Sequence, residues 1–331
     1  MDWPSLVQHH RSKITPASSD EHLELVLNEL LATLKASHTE FVSSSDQEYW
    51  ALKSIFSGRI DGAPTRQIGA WFTQLDGKWF VKNVFAEGPA AKAGLLPGDE
   101  VLDANGKPFY PVDSFSSDAI QTLSIKRSKN GNPIQVKVRP KRESFQRSML
   151  QASKKSFKIS DLDGKRIAYF HLWSGTHEAF KKALKDAATK AAKKSDVFIL
   201  DLRDGFGGAS PEYLEPFIQK ADGSGAIYDK PLVVLINDGV RSGKEWITYI
   251  LKETKRATLI GSRTKGYFLA GMPFEIRRGR FMLYLAVNED PSMPKLEGNG
   301  VSPDIEVPFD LPYSEGRDAI LESALQHIRT Q

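Results

Sequence analysis

Leu200-Asp201-Leu202-Arg203-Asp204-Gly205-Phe206-Gly207-Gly208 closes an apolar run that begins at Val197. Val197-Phe198-Ile199-Leu200 has no polar face, which predicts a strand covered on both sides, followed by a glycine-rich loop. Downstream, Leu232-Val233-Val234-Leu235-Ile236 repeats the pattern, and a turn and a helical stretch from Gly243 to Lys255 follow it. Upstream lie a strand at Arg166–Phe170 and an Ala/Lys-rich helix from Ala179 to Lys194. Buried strands alternating with helices predict an α/β sheet protected on both faces. The Lys-rich run at 181–194 reads as the solvated face of its helix.

Earlier in the chain the character changes. Trp71-Phe72-Thr73 and Trp79-Phe80-Val81, separated by Asp76-Gly77, predict a β-hairpin. Gly88–Leu95 reads as one short helix closed by a glycine, and Ile134–Val138 alternates as a half-buried strand does. Before these, Leu23, Val26, Leu27, Leu30, Leu31 and Leu34 share one helical face behind a Ser18/Glu21 capping box. Tyr49, Leu52, Lys53 and Phe56 mark a second amphipathic stretch. The chain therefore divides into a helical segment at 1–57, a β block at 58–142 and an α/β region at 143–331.

Composition narrows the chemistry. Among 331 residues, 45 Lys and Arg against 41 Asp and Glu leave a net +4, with no basic stripe of the kind nucleic acid requires. The absence of cysteine excludes a disulfide scaffold, a thiol nucleophile and any Cys-based metal site. Seven scattered histidines form no HExxH pattern, so neither a metal nor another cofactor is expected. No apolar run is long enough to span a membrane. The opening Met1-Asp2-Trp3-Pro4 lacks the basic start and apolar run of a leader.

Residues 66–110 resemble a PDZ domain: Gln67-Ile68-Gly69-Ala70 matches its carboxylate-binding loop, and the Gly88–Gly106 stretch its central segment. The resemblance implies recognition of a peptide C-terminus or an extended chain by Ile68, Gly69 and Ala70, the extended ligand adding as a strand. Leu200–Gly208, Pro231–Gly261 and Glu297-Gly298-Asn299-Gly300-Val301-Ser302-Pro303-Asp304-Ile305 resemble three ordered motifs of the S41 serine peptidases, the tail-specific or C-terminal processing family. That resemblance implies a ββα-type, crotonase-like catalytic core, a peptide or protein substrate, and a periplasmic or secreted setting.

On local context alone Ser242 reads as a helix N-cap. The resemblance makes it the nucleophile. A serine needs a base, and the position where many S41 peptidases carry a lysine is Tyr267, with Lys265 two residues away. The tricorn-like branch instead uses a histidine preceded by a serine, and a late glutamate. Ser37-His38 and Glu297 occupy the matching places. The expectation is Ser242 as nucleophile, His38 as general base and acid, Glu297 on the far ring nitrogen, and Ser37 as auxiliary. Gly243, with Gly207 or Gly208, is expected to supply oxyanion donors. Glu289 and Asp290 are substitutes for Glu297. Arg241 and Lys244, beside the nucleophile, add positive charge suited to an anionic C-terminus or acidic substrate side chains, with plain solvent exposure as the simpler expectation. Two rivals stay open: a Ser–Lys dyad using Lys265, and a peptide-binding scaffold without turnover.

Overall fold

The computed structural model describes residues 2–16, 18–219, 225–288 and 294–331. Helices α1 (Trp3–Arg11) and α2 (Asp20–Ala32) open the chain. Ser19 caps α2 by accepting from the His22 N–H, one residue beyond the expected box. Strand β1 (Glu40–Ser43) and helix α3 (Gln47–Phe56) follow. β1 corrects the all-helical reading of residues 1–57. Four residues carry no legible period, and the strand is stabilised by pairing with a partner about 240 positions later.

The next block contains β2 (Thr65–Gln67), β3 (Ala70–Leu75), β4 (Lys78–Val84), α4 (Pro89–Lys92), β5 (Glu100–Ala104), β6 (Gln121–Lys126), β7 (Ile134–Val138) and β8 (Lys141–Glu143). β3 to β7 form an antiparallel sheet in sequence order, and β3 is an edge. The Asp76-Gly77 turn has φ of 49° and 75°, the left-handed pair that a tight hairpin requires. Ile68, Phe72, Val81, Val101, Leu123 and Ile125 form this block's own core. β2 pairs with β8, closing the block where the chain enters and leaves it.

The remainder comprises α5 (Phe145–Ser156), β9 (Lys158–Leu162), β10 (Lys165–His171), α6 (Glu178–Lys194), β11 (Val197–Asp201), β12 (Leu232–Ile236), α7 (Gly243–Glu253), β13 (Thr258–Gly261), β14 (Ala270–Ile276), β15 (Phe281–Asn288), β16 (Ile305–Glu306) and α8 (Ala319–Thr330). Six strands run in the order β16-β13-β12-β11-β10-β9, parallel except at β9. The continuous apolar runs are explained by alternation. Phe198, Leu200, Val234 and Ile236 face one core with Phe180, Leu184 and Ile247, whereas Ile199, Val233 and Leu235 face another under α8. No helix among the described residues is long and apolar enough to cross a membrane.

Parallel strands set the site. The loops after β11, β12 and β13 all leave the same carboxyl edge of the sheet, where such folds place their chemistry. A separate sheet, ordered β1-β15-β14, stands beside that edge and carries in the residues just before β1.

Candidate active site

Ser242 joins the end of the β12 loop to α7, with φ 56° and ψ −134°. A capping serine has extended backbone and negative φ. This conformation is sparsely populated for a side chain bearing a Cβ, and it costs on the order of 1–3 kcal/mol. Strain of that size points to a task beyond capping. The turn is held by the Ser242 N–H, which donates to the Tyr267 carbonyl at 2.7 Å and to Glu245 Oε2 at 3.2 Å. Glu245 Oε1 also accepts from Thr264 Oγ1 and the Gly266 N–H, so one buried carboxylate ties the Ser242 turn to the loop after β13. Sequence reasoning missed this role. The only trace of it is a Glu three residues after Ser242, the capping-box spacing.

Gly207 lies against Ser242. A Cβ there would stand 2.5 Å from Ser242 Cβ and 3.0 Å from its Oγ, so only glycine permits this approach. Among the described residues, the N–H groups of Gly207, Gly208 and Gly243 donate to no protein acceptor.

His38 reaches the same place from the other sheet. It is buried, at 6% exposure, with its ring edge-on to Tyr284. Its Nδ1 lies 3.1 Å from Ser37 Oγ. Ser37 Oγ donates to Glu297 Oε2 at 2.8 Å, and the Ser37 N–H to Oε1 at 2.8 Å. Glu297 also accepts from the Phe268 and Leu269 N–H groups at 2.7 and 3.1 Å. This corrects the expected direct contact: the carboxylate touches Ser37, and Ser37 touches the ring. Because Ser37 Oγ gives its proton to Glu297, it can only accept from Nδ1–H. Nε2 is then the unprotonated nitrogen.

The charges fit that tautomer. Burial alone would raise the Glu297 pKa, but the donors from Phe268, Ser37 and Leu269 outweigh it and hold the group below the usual carboxylate range. Burial, with Arg241 nearby, pulls the His38 pKa down to about 4 against the opposing pull of Glu297. Gly271 makes room for the ring, since a Cβ there would fall 2.8 Å from His38 Cβ. Nothing in the sequence marks Gly271, because its neighbour comes from the other end of the chain.

His38, Gly207, Gly208 and Ser242 line one cavity of about 410 Å³, with Leu52, Phe56 and Phe206 among its apolar walls. No hydrogen bond joins Ser242 Oγ to the ring. Lys265 lines a neighbouring cavity instead, and its ammonium lies over the Tyr267 ring at 4.2 Å. Glu289 and Asp290 lie outside the described residues.

The two cations beside Ser242 are not solvated, contrary to expectation. Arg241 pairs with Glu48 at 2.8 Å and lies 4.3 Å over the Phe206 ring. Lys244 is 0% exposed, and its ammonium donates to the Leu172, Leu202 and Asp204 carbonyls. Burial brings its pKa down to about 7. Those carbonyls end β10 and β11 or begin the glycine loop, so Lys244 fastens that loop to α7. Arg203 pairs with Asp201 and Asp318, which ties the end of β11 to the start of α8.

Ile68, Gly69 and Ala70 are buried, and their carbonyls accept from the Ala90 N–H, the Phe85 N–H and the Gln47 amide. Asp204, at the start of the glycine loop, accepts from Asn83 and pairs with Lys82, both on β4.

The peptidase family S41 model matches residues 215–307, which include Ser242 and Glu297, and the PDZ domain model matches residues 67–146. The chloroplastic carboxyl-terminal-processing peptidase 2 of Arabidopsis thaliana is 26% identical over 334 residues, spanning 91% of this chain and 63% of that protein. The carboxyl-terminal-processing protease of Synechocystis is 24% identical over 345 residues, spanning 92% of this chain and 78% of that protein. The solved photosystem II D1 C-terminal processing protease matches with a TM-score of 0.54 at 20% identity, over 97% of this chain and 92% of that one. At that identity the likeness is one of fold.

Proposed function

Because this chain belongs to peptidase family S41 and carries a PDZ domain, we propose that it is a serine peptidase that hydrolyses peptide bonds through Ser242, His38, Ser37 and Glu297. The observation that carries the reading is the Glu297–Ser37–His38 chain ending on the cavity that also holds the strained Ser242. His38 Nε2 takes the Ser242 proton as Oγ attacks the scissile carbonyl. The oxyanion is met by the Gly243 N–H and by Gly207 or Gly208. The imidazolium, steadied through Ser37 by the Glu297 charge, returns the proton to the leaving amine. Water then repeats the sequence on the acyl-enzyme. We assign residues 1–57 to an N-terminal segment, 58–142 to the PDZ-like domain and 143–331 to a catalytic core of the ββα, crotonase-like type. The substrate is a peptide or protein chain.

A serine-reactive phosphonate tests the nucleophile. Peptide mapping after treatment should find the label on Ser242 and little elsewhere. A protein that turns over peptide while Ser242 stays unmodified would remove that residue from the mechanism.

The depressed His38 pKa sets the pH response. A neutral imidazole is required, so kcat/KM should hold from neutral pH to about 5 and fall through an acidic limb near 4. Stability runs in the same direction. The unfolded imidazole takes a proton near pH 6.5 and the folded one near 4, so the fold loses roughly 3 kcal/mol as pH falls through that window. An acidic limb above pH 6 in the free enzyme would contradict a desolvated base.

A further inference from the structure

β3 is an edge strand, and part of its free edge is already occupied. Gln47, 5% exposed at the start of α3, donates its amide to the Ala70 carbonyl at 2.9 Å and accepts from the Phe72 N–H at 2.9 Å. A neighbouring parallel strand would make the same pair of bonds with its main chain. The register with β4 puts the N–H and C=O of every second residue on the outer edge, so Gln74 presents the next pair there, and its side chain is exposed. Beside this edge runs a groove of about 570 Å³. Its lining includes Glu21, Glu24, Glu29 and Asp46, and neither lysine nor arginine contributes to it among the described residues. Glu29 pairs with Lys13, and Glu24 accepts from the Ser43 N–H. Leu25 and Tyr110, both largely exposed, add apolar surface.

We propose that this groove binds an extended peptide segment carrying basic side chains, whose main chain displaces the Gln47 amide from Ala70 and Phe72 and continues to Gln74. The charge complementarity selects the occupant. A free carboxyl terminus would meet like charge along the groove, whereas lysines or arginines at alternate positions would meet the α2 carboxylates. Gln47 stands in for the ligand when the groove is empty and satisfies two buried backbone groups that would otherwise be orphaned. Ligand binding and Gln47 release are therefore one exchange. The next residue, Glu48, holds Arg241 beside the nucleophile, so the exchange occurs one residue from the active-site wall.

The inference rests on the reading of this block as peptide-binding, and it is independent of cleavage. The test measures fluorescence anisotropy of labelled peptides on the full-length Ser242→Ala protein. The probes are a C-terminally amidated peptide of alternating lysine and valine, its glutamate counterpart, and a neutral apolar peptide with a free carboxyl end. The basic peptide should bind best and weaken with added salt. Gln74→Pro removes only an outward N–H, a change that an edge strand tolerates, and should weaken binding roughly fivefold. Glu21→Lys with Glu29→Lys should weaken it about tenfold or more, through exposed positions that leave the fold intact. Gln47→Ala removes the internal competitor and should tighten binding several-fold. Preference for the free carboxyl peptide, or indifference to the charge reversals, would overturn this inference and leave peptide binding standing. Failure of all three peptides to bind would overturn both.

Discussion

Ser242→Ala should abolish peptide cleavage, by about 10⁴-fold or more in kcat, while the protein keeps its fold. The expected size follows from the residue's position. In the proposed mechanism Oγ is the atom that attacks, and the donors and base around it do little without it. The preserved fold follows equally directly, because the Ser242 N–H bonds to the Tyr267 carbonyl and Glu245 belong to the backbone and survive the change. The strain at φ 56°, ψ −134° also survives in alanine. Ser242→Gly separates the two effects. Glycine adopts that backbone freely, so the glycine variant should lose activity as alanine does yet gain roughly 1 kcal/mol of stability by relieving the strain. Denaturant titrations of both variants, beside their kcat values, read the comparison. Wild-type turnover in the alanine variant would end the nucleophile assignment. A glycine variant no more stable than alanine would mean that the turn costs nothing.

How much of this was legible beforehand depends on where each partner lies in the chain. β11, β12 and α7 were readable because their patterns are local: two apolar runs and an amphipathic stretch behind a turn. α5 and α8 escaped notice, although both are amphipathic and both open on a side-chain cap, Ser144 and Asp318. β1 and β14 were unreadable for a different reason. Glu40–Ser43 is too short for a period, and Ala270–Ile276 contains a glycine and a proline, so both depend on β15 for their existence. The site shows the same division. Ser242 and the glycine loop sit on local motifs, whereas His38 and Glu297 came only from a family likeness, since 259 positions separate them. Ser37 as the link between them needed coordinates. Lys244 was misread: a lysine beside a helix start gives no sign that carbonyls from two strand ends and the glycine loop will close over it.

The sharper test of the relay is the order of four substitutions. His38→Ala should cost nearly as much as Ser242→Ala, because no other side chain on that cavity can accept the proton. Lys265→Ala should change kcat by no more than about threefold, since its ammonium lies over Tyr267 on a neighbouring cavity. Removing that positive charge also relieves one influence holding the His38 pKa down, so the acidic limb should move slightly upward. Glu297→Gln acts in the opposite direction. The lost negative charge had been raising the His38 pKa, so the limb should move further down while kcat falls by roughly 10²-fold or more. An amide in that position also turns an NH₂ toward the donors of Ser37, Phe268 or Leu269, leaving at least one unsatisfied at about 1–3 kcal/mol. Ser37→Ala leaves the carboxylate charge but breaks the link, and should lower kcat with little change in KM, because the ring loses its fixed tautomer rather than its substrate contacts. The opposite movements of the limb in the Lys265 and Glu297 variants carry the most weight. General destabilisation would lower both activities without sending their pH profiles apart. If Lys265→Ala were the severe change and His38→Ala the mild one, the lysine would be the base and the relay would be structural.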